Sequence, residues 1–212
     1  DSDPDGDTLT VTEGKGVPAN VGTGVTGTTG GNITIAANGS YTFNPGTAFD
    51  NLASGATRTT TAAYTLSDGE GGTATATITV TVTGTNDAPV ANNDSFTVAE
   101  DASITINVRA NDSDIDAGTS FSITHVDGNL ISVGSPVTVA NGTVALTVSG
   151  TLVFTPAPNY NGPAAFDYTI SDSQGGTATA TVSGTVTPVN DAPTAAADTF
   201  ADTSFTATTS VN

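Results

Sequence analysis

Ser67-Asp68-Gly69-Glu70-Gly71-Gly72-Thr73-Ala74-Thr75-Ala76-Thr77 returns 104 residues later as Ser171-Asp172-Ser173-Gln174-Gly175-Gly176-Thr177-Ala178-Thr179-Ala180-Thr181. Each copy runs on through a Thr/Val segment and ends at Asn-Asp-Ala-Pro, residues 86–89 and 190–193. Of the 23 positions 67–89, 16 are identical to their partners, far beyond chance. The chain is therefore an internal repeat with a domain-sized period. The block also has a physical reading. Asp-Gly and Gly-Gly supply positive-φ positions for a hairpin turn. Residues 73–83 alternate Thr with Ala, Ile or Val, which gives a strand with one apolar and one hydroxyl face. Proline then ends the ladder because it has no N–H to donate.

Working outward, 212 residues suffice for two domains of ordinary size. No window carries apolar residues at i, i+3, i+4 and i+7 long enough for a helix, so the chain reads as all-β. The formal charge is −18, with Lys15, Arg58 and Arg109 as the only Lys or Arg. That argues against nucleic acid and anionic membrane surfaces as partners, since both need clustered cations. No apolar run approaches membrane-spanning length, so no membrane insertion is expected. Cys is absent, which removes disulfides as staples.

Asp1, Asp3, Asp5 and Asp7 open the chain as carboxylates on alternate residues, followed by a short strand at 8–12. Strands 32–35 and 39–43 flank an Asn38-Gly39 turn, and 62–66 leads into the repeated block. The second unit opens with strands at 90–98 and 103–108, with Glu100-Asp101 between them. Asp112, Asp114 and Asp116 then match the opening cluster, and Asn141-Gly142 matches Asn38-Gly39. Short strands with turns every 8 to 12 residues predict antiparallel sandwiches of the immunoglobulin and cadherin kind. The predicted fold class is all-β: two such sandwiches in tandem. Residues 1–87 form an incomplete sandwich without its N-terminal strands, and 88–191 a complete one. Residues 192–212 are leading strands of a following domain, or a donor strand for residues 1–87 of the next subunit.

That last expectation rests on the ends. Asp198-Thr199-Phe200 matches Asp94-Ser95-Phe96, and joining Asn212 to Asp1 rewrites the acidic motif at 111–116. The abrupt start at Asp1 suggests an excerpt or a processed product. Two arrangements stay open: a covalent tandem, or separate copies joined head to tail by strand donation, an open-ended contact.

The combination of S-D-x-x-G-G-T-A-T-A-T, N-D-A-P and a preceding Y-T-[LI]-S-D resembles the cadherin-like and VCBS-type tandem repeats of giant bacterial surface adhesins. It covers both units nearly end to end. The resemblance implies Ig-like sandwiches in series at the bacterial cell surface, extracellular, with Ca²⁺ stiffening the joints. The resemblance implies an extender or stalk, and the partners expected for this chain are copies of itself head to tail and other surface proteins or glycans. The third copy of the leading strand departs from the pattern: Ser204 and Phe205 stand 104 residues after Glu100 and Asp101, and neither is acidic.

Calcium requires six to eight oxygens, several from carboxylates on a flexible loop. The opening cluster imitates a D-x-D-x-D-G loop, but Thr12 stands at its twelfth position, so it is no EF-hand. One joint is expected to combine Asp87 and Glu100 or Asp101 with Asp112, Asp114 and Asp116. The other is expected to combine Asp191 with Asp1, Asp3 and Asp5 of a following unit. The bland reading of each cluster is a solvated acidic turn, and Asp68 and Asp172 read as turn residues bonding their own backbone. No enzyme is expected: His125 has no suggested partner, nothing marks a nucleophile, and Trp is absent. The alternative of a different class is a carbohydrate- or ligand-binding module of a larger surface protein. An exposed aromatic patch would favour it, whereas Tyr41, Tyr64, Tyr160 and Tyr168 fall mostly at core or corner positions.

Overall fold

The computed structural model describes residues 1–193 and 195–197. The expected segment 198–200 and most of the proposed donor strand lie outside them. The described chain is built from strands, as its two-residue periodicity dictates, with two single-turn 3-10 segments at Pro18–Asn20 and Val108–Ala110.

Unit one has six strands: β1 (Thr10–Gly14), β2 (Gly24–Thr26), β3 (Asn32–Ile35), β4 (Tyr41–Asn44), β5 (Thr57–Ser67) and β6 (Thr73–Thr83). They form two three-stranded sheets, β1-β5-β6 and β2-β3-β4. Unit two has nine: β7 (Asp94–Ala99), β8 (Ile104–Ile106), β9 (Ser122–Val126), β10 (Asn129–Leu130), β11 (Val137–Val139), β12 (Gly142–Leu146), β13 (Leu152–Pro156), β14 (Gly162–Ser171) and β15 (Thr177–Thr187). Their sheets are ordered β10-β9-β14-β15-β7 and β11-β12-β13-β8.

The repeated block folds as its residues predict. Ser67 pairs with Thr73 and Ser171 with Thr177, each closing a five-residue loop. Asp68 Oδ1 accepts from Glu70 N and Gly72 N at 2.8 and 2.9 Å, and Asp172 Oδ1 from Gln174 N and Gly176 N at 2.7 and 2.9 Å. These are the turn-capping bonds expected of both aspartates. The Asn38-Gly39 hairpin also forms, with a wider loop: Ile35 is the last pair, with Tyr41. At the second such signal the turn lies one residue earlier, because Gly142 already pairs with Val139 and Asn141 takes φ +67°.

The cores differ. Unit two packs nineteen buried side chains, Phe154, Tyr168, Leu152 and Val182 among them at 0% exposure, whereas unit one's main cluster has six. The difference tracks the leading strands. In unit two β7 lies parallel to β15, Phe96 opposite Gly184, and buries Phe96 and Val98. In unit one no described strand lies on the outer side of β6, and none of its eleven residues is buried. Val182 is fully buried while its counterpart Ile78 is half-buried. Of the four tyrosines, Tyr168 is a core residue, but Tyr41 is 54% exposed, contrary to its expected core position.

Candidate functional site at the joint between the units

The chain passes from β6 into unit two through Thr85-Asn86-Asp87-Ala88, where the repeated motif meets two loops of unit two. Asn86 Nδ2 donates to Asp172 Oδ2 at 2.8 Å and to the Asp87 carbonyl at 2.8 Å. The Asp87 N–H donates to Asp116 Oδ2 at 2.9 Å. The Ala117 N–H reaches back to the Asn51 carbonyl of unit one at 3.1 Å. Glycine at 176 permits the close passage, since the Ala88 Cα lies 2.9 Å from where a Cβ would stand. Beside it, a cleft of about 450 Å³ is lined by Pro45, Phe49, Leu52, Val82, Asp87 and Ile115.

Two carboxylates here, buried Asp116 and half-buried Asp114, each hold one buried oxygen without a partner. Asp116 is 4% exposed and its Oδ1 has no hydrogen-bond partner. Asp114 Oδ1 accepts from the Asp116 N–H at 2.8 Å, but its buried Oδ2 also lacks a partner. A buried carboxylate oxygen without a donor is costly, and it is the kind of atom that a cation satisfies. The Asp172 carboxyl is held below the ordinary carboxylate range, first by the Asn86 amide and then by the loop N–H groups, against the opposing effect of burial.

The other expected ligands are dispersed. Asp112 turns inward, where its Oδ1 accepts from the Tyr168 hydroxyl at 2.9 Å and from the Asn92 N–H at 2.8 Å. Glu100 does not join Asp87 and Asp112. Ala99 pairs with Thr187 while Asp172, which holds Asn86, precedes Thr177, so the length of β15 separates Glu100 from the linker, ten residue steps or roughly 33 Å. Glu100, 6% exposed, instead clamps the exit of unit two, accepting from the Val189 N–H at 2.6 Å and the Asn161 amide at 3.3 Å. Asp101 is exposed on the turn after β7, and Asp191 is exposed beyond β15. In the opening cluster, Asp3 Oδ1 accepts from its own loop at the Asp5 N–H (2.8 Å), Asp1 Oδ2 accepts from the Tyr64 hydroxyl (2.6 Å), and Asp5 and Asp7 are exposed. Among the described residues, no three His, Asp or Glu side chains converge as a ready metal cluster.

Sequence reasoning missed Asn86 as a joint residue and gave Asp172 only its turn role. The signal was present, because Asn-Asp-Ala-Pro and Ser-Asp-x-x-Gly-Gly recur as a pair. Asp94 was missed as well. Burial, first of all, and the nearby Asp112 push its carboxyl up, and its Oδ2 is buried without a partner.

Paired sandwiches joined by a short acidic linker define a class of tandem cadherin-like modules. Residues 1–84 match the bacterial cadherin-like domain and residues 86–185 the bacterial Ig domain, two matches that support cadherin-like bacterial Ig repeats in tandem. No curated protein matches it. Among solved structures it is similar to mouse cadherin-23 EC22-24, at TM-score 0.54 and 16% identity, covering 90% of this chain and 58% of that one. Human mucin-like protocadherin EC1-2 is similar at TM-score 0.50 and 18% identity, covering 88% and 86%. The endo-fucoidan hydrolase MfFcnA4 is similar at TM-score 0.34 and 16% identity, covering 88% of this chain, which spans only 24% of that one. The two cadherin likenesses show a tandem β-sandwich fold. Domains of the two matched families are repeat modules of bacterial surface proteins, and no helix among the described residues is long and apolar enough to cross a membrane.

Proposed function

We propose that the chain is a structural repeat of an extracellular bacterial fibre or adhesin stalk, non-enzymatic, its inter-unit joint stiffened by Ca²⁺. The observation that carries this reading is the pair of buried, unpartnered carboxylate oxygens, Asp114 Oδ2 and Asp116 Oδ1, where the two units meet. Asp114 and Asp116 would hold the ion, with Asp87, Asn86 and Asp172 beside them and carbonyls or water completing the oxygen set. Calcium supplies charge neutralisation and a rigid bridge between residues of two units. Asp116 positions the linker backbone through the Asp87 N–H, and Asp172 holds the Asn86 side chain, so both groups orient the joint. A stiff joint turns two sandwiches into a rod, and copies joined head to tail extend it. Electron microscopy with calcium and after chelation tests the reading. Straight two-unit rods that bend on chelation support it, and rods unchanged by chelation contradict it.

A further inference from the structure

Unit two displays a filled socket. Asn86 Nδ2 donates to Asp172 Oδ2 at 2.8 Å, and Ala88 packs over Gly176. Unit one has the same turn at 68–72, with the same two bonds from its own backbone to Asp68 Oδ1. Here the socket is open: a cleft of about 410 Å³ lined by Asp1, Asp3, Pro4, Leu66, Asp68 and Gly72 among others. Exposure records the difference residue by residue. Asp172 is buried where Asp68 is half-buried, and Gly176 and Ala178 are half-buried where Gly72 and Ala74 are exposed. The missing plug exists in the same chain. Asn190-Asp191-Ala192-Pro193 repeats Asn86-Asp87-Ala88-Pro89, all four residues are exposed, and Asn190 Nδ2 donates to the Asp191 carbonyl at 3.4 Å as Asn86 does to that of Asp87.

We propose that the 68–72 turn is an acceptor socket for residues 190–193 of a second copy, with the Asn190 amide donating to Asp68. The inference rests on the reading of the chain as an array-forming stalk module, and names the contact that joins its copies. Plug and socket are different surfaces, so the contact is heterologous and propagates without closing. The specificity lies in the socket and not at the outer edge of β6. Val80 stands where unit two has Gly184, and a Cβ on Gly184 would lie 2.6 Å from the Phe96 ring, so the seat of β7 is not reproduced there.

Sedimentation velocity of the full chain in calcium tests this. The wild type is expected to self-associate with rising concentration. Asn190→Asp sets a carboxylate against Asp68 and is expected to weaken association at least about tenfold. Adding Asp68→Asn to that chain exchanges donor and acceptor and restores association. The amide introduced by Asp68→Asn keeps an Oδ1 to cap the turn, and thermal melts of each variant confirm folding. A wild type that stays monomeric at every concentration overturns the proposal and assigns the socket to a covalently preceding segment. Undiminished association of Asn190→Asp also overturns it. The calcium reading fails separately: its sign is a silent calcium titration of the monomeric Asn190→Asp chain, whose 86–116 joint is intact.

Discussion

Asn86 and Asp172 stand 86 residues apart in sequence and share a hydrogen bond of 2.8 Å, so the linker leaving unit one is fastened to the last hairpin of unit two. That bond is the leading reason the Asp172 carboxyl lies low. A carboxyl depressed in the folded state contributes stability above its unfolded value and loses it as pH falls through the folded one. Asn86→Ala is expected to move the Asp172 titration upward, followed by NMR without calcium, and to broaden the inter-unit distance distribution in solution scattering. An unchanged titration would separate the two residues.

Tyr168 is fully buried, and its hydroxyl lies 2.8 Å from the Asn92 carbonyl, 3.2 Å from that of Val108 and 2.9 Å from Asp112 Oδ1. Tyr168→Phe removes the one donor these acceptors share. Denaturant unfolding is expected to show unit two losing about 1–3 kcal/mol, the cost of leaving buried polar groups unpaired.

Asp94 gives the opposite pH signature. Burial first, and then the neighbouring Asp112, raise its carboxyl above the ordinary value of 3.8. A raised carboxyl favours the folded state most below its unfolded value, and that contribution is lost as pH rises through the folded one. Asp94→Asn is expected to raise the melting temperature at pH 7, the gain over wild type shrinking as pH falls toward about 4. A gain independent of pH would point to packing instead.

Glu100 holds the exit of unit two by accepting from the Val189 N–H at 2.6 Å. Glu100→Ala is expected to speed hydrogen exchange at Val189 and to lower stability by about 1.5–3 kcal/mol, the range for hydrogen bonds to charged groups. Exchange at Val189 matching wild type would remove the clamp.

What the sequence revealed and what it hid divide along the range of the interactions. The Asp68 and Asp172 loops were legible because a turn is set by a few adjacent residues, glycines at positive φ and an aspartate capping its own backbone. The same locality made the alternating strands 73–83 and 177–187 plain. Glu100 was misplaced because its partner Val189 lies 89 residues away, and only the parallel seat of β7 on β15 carries it to the far end of the sandwich. Asp112 shares its spacing with Asp114 and Asp116, yet Tyr168 draws it inward. That pairing belongs to tertiary packing and leaves no trace in spacing.

Calcium is proposed to sit where Asp114 and Asp116 keep buried oxygens without partners. Calorimetric titration of calcium into the chelator-treated full chain, beside an Asp116→Asn variant of the same melting behaviour, tests it most directly. Saturable binding by the wild type is expected, weakened at least about tenfold by Asp116→Asn, whose amide supplies one fewer anionic oxygen. A wild type that takes up no calcium, or an Asp116→Asn isotherm that overlays it, would rule out calcium at this joint.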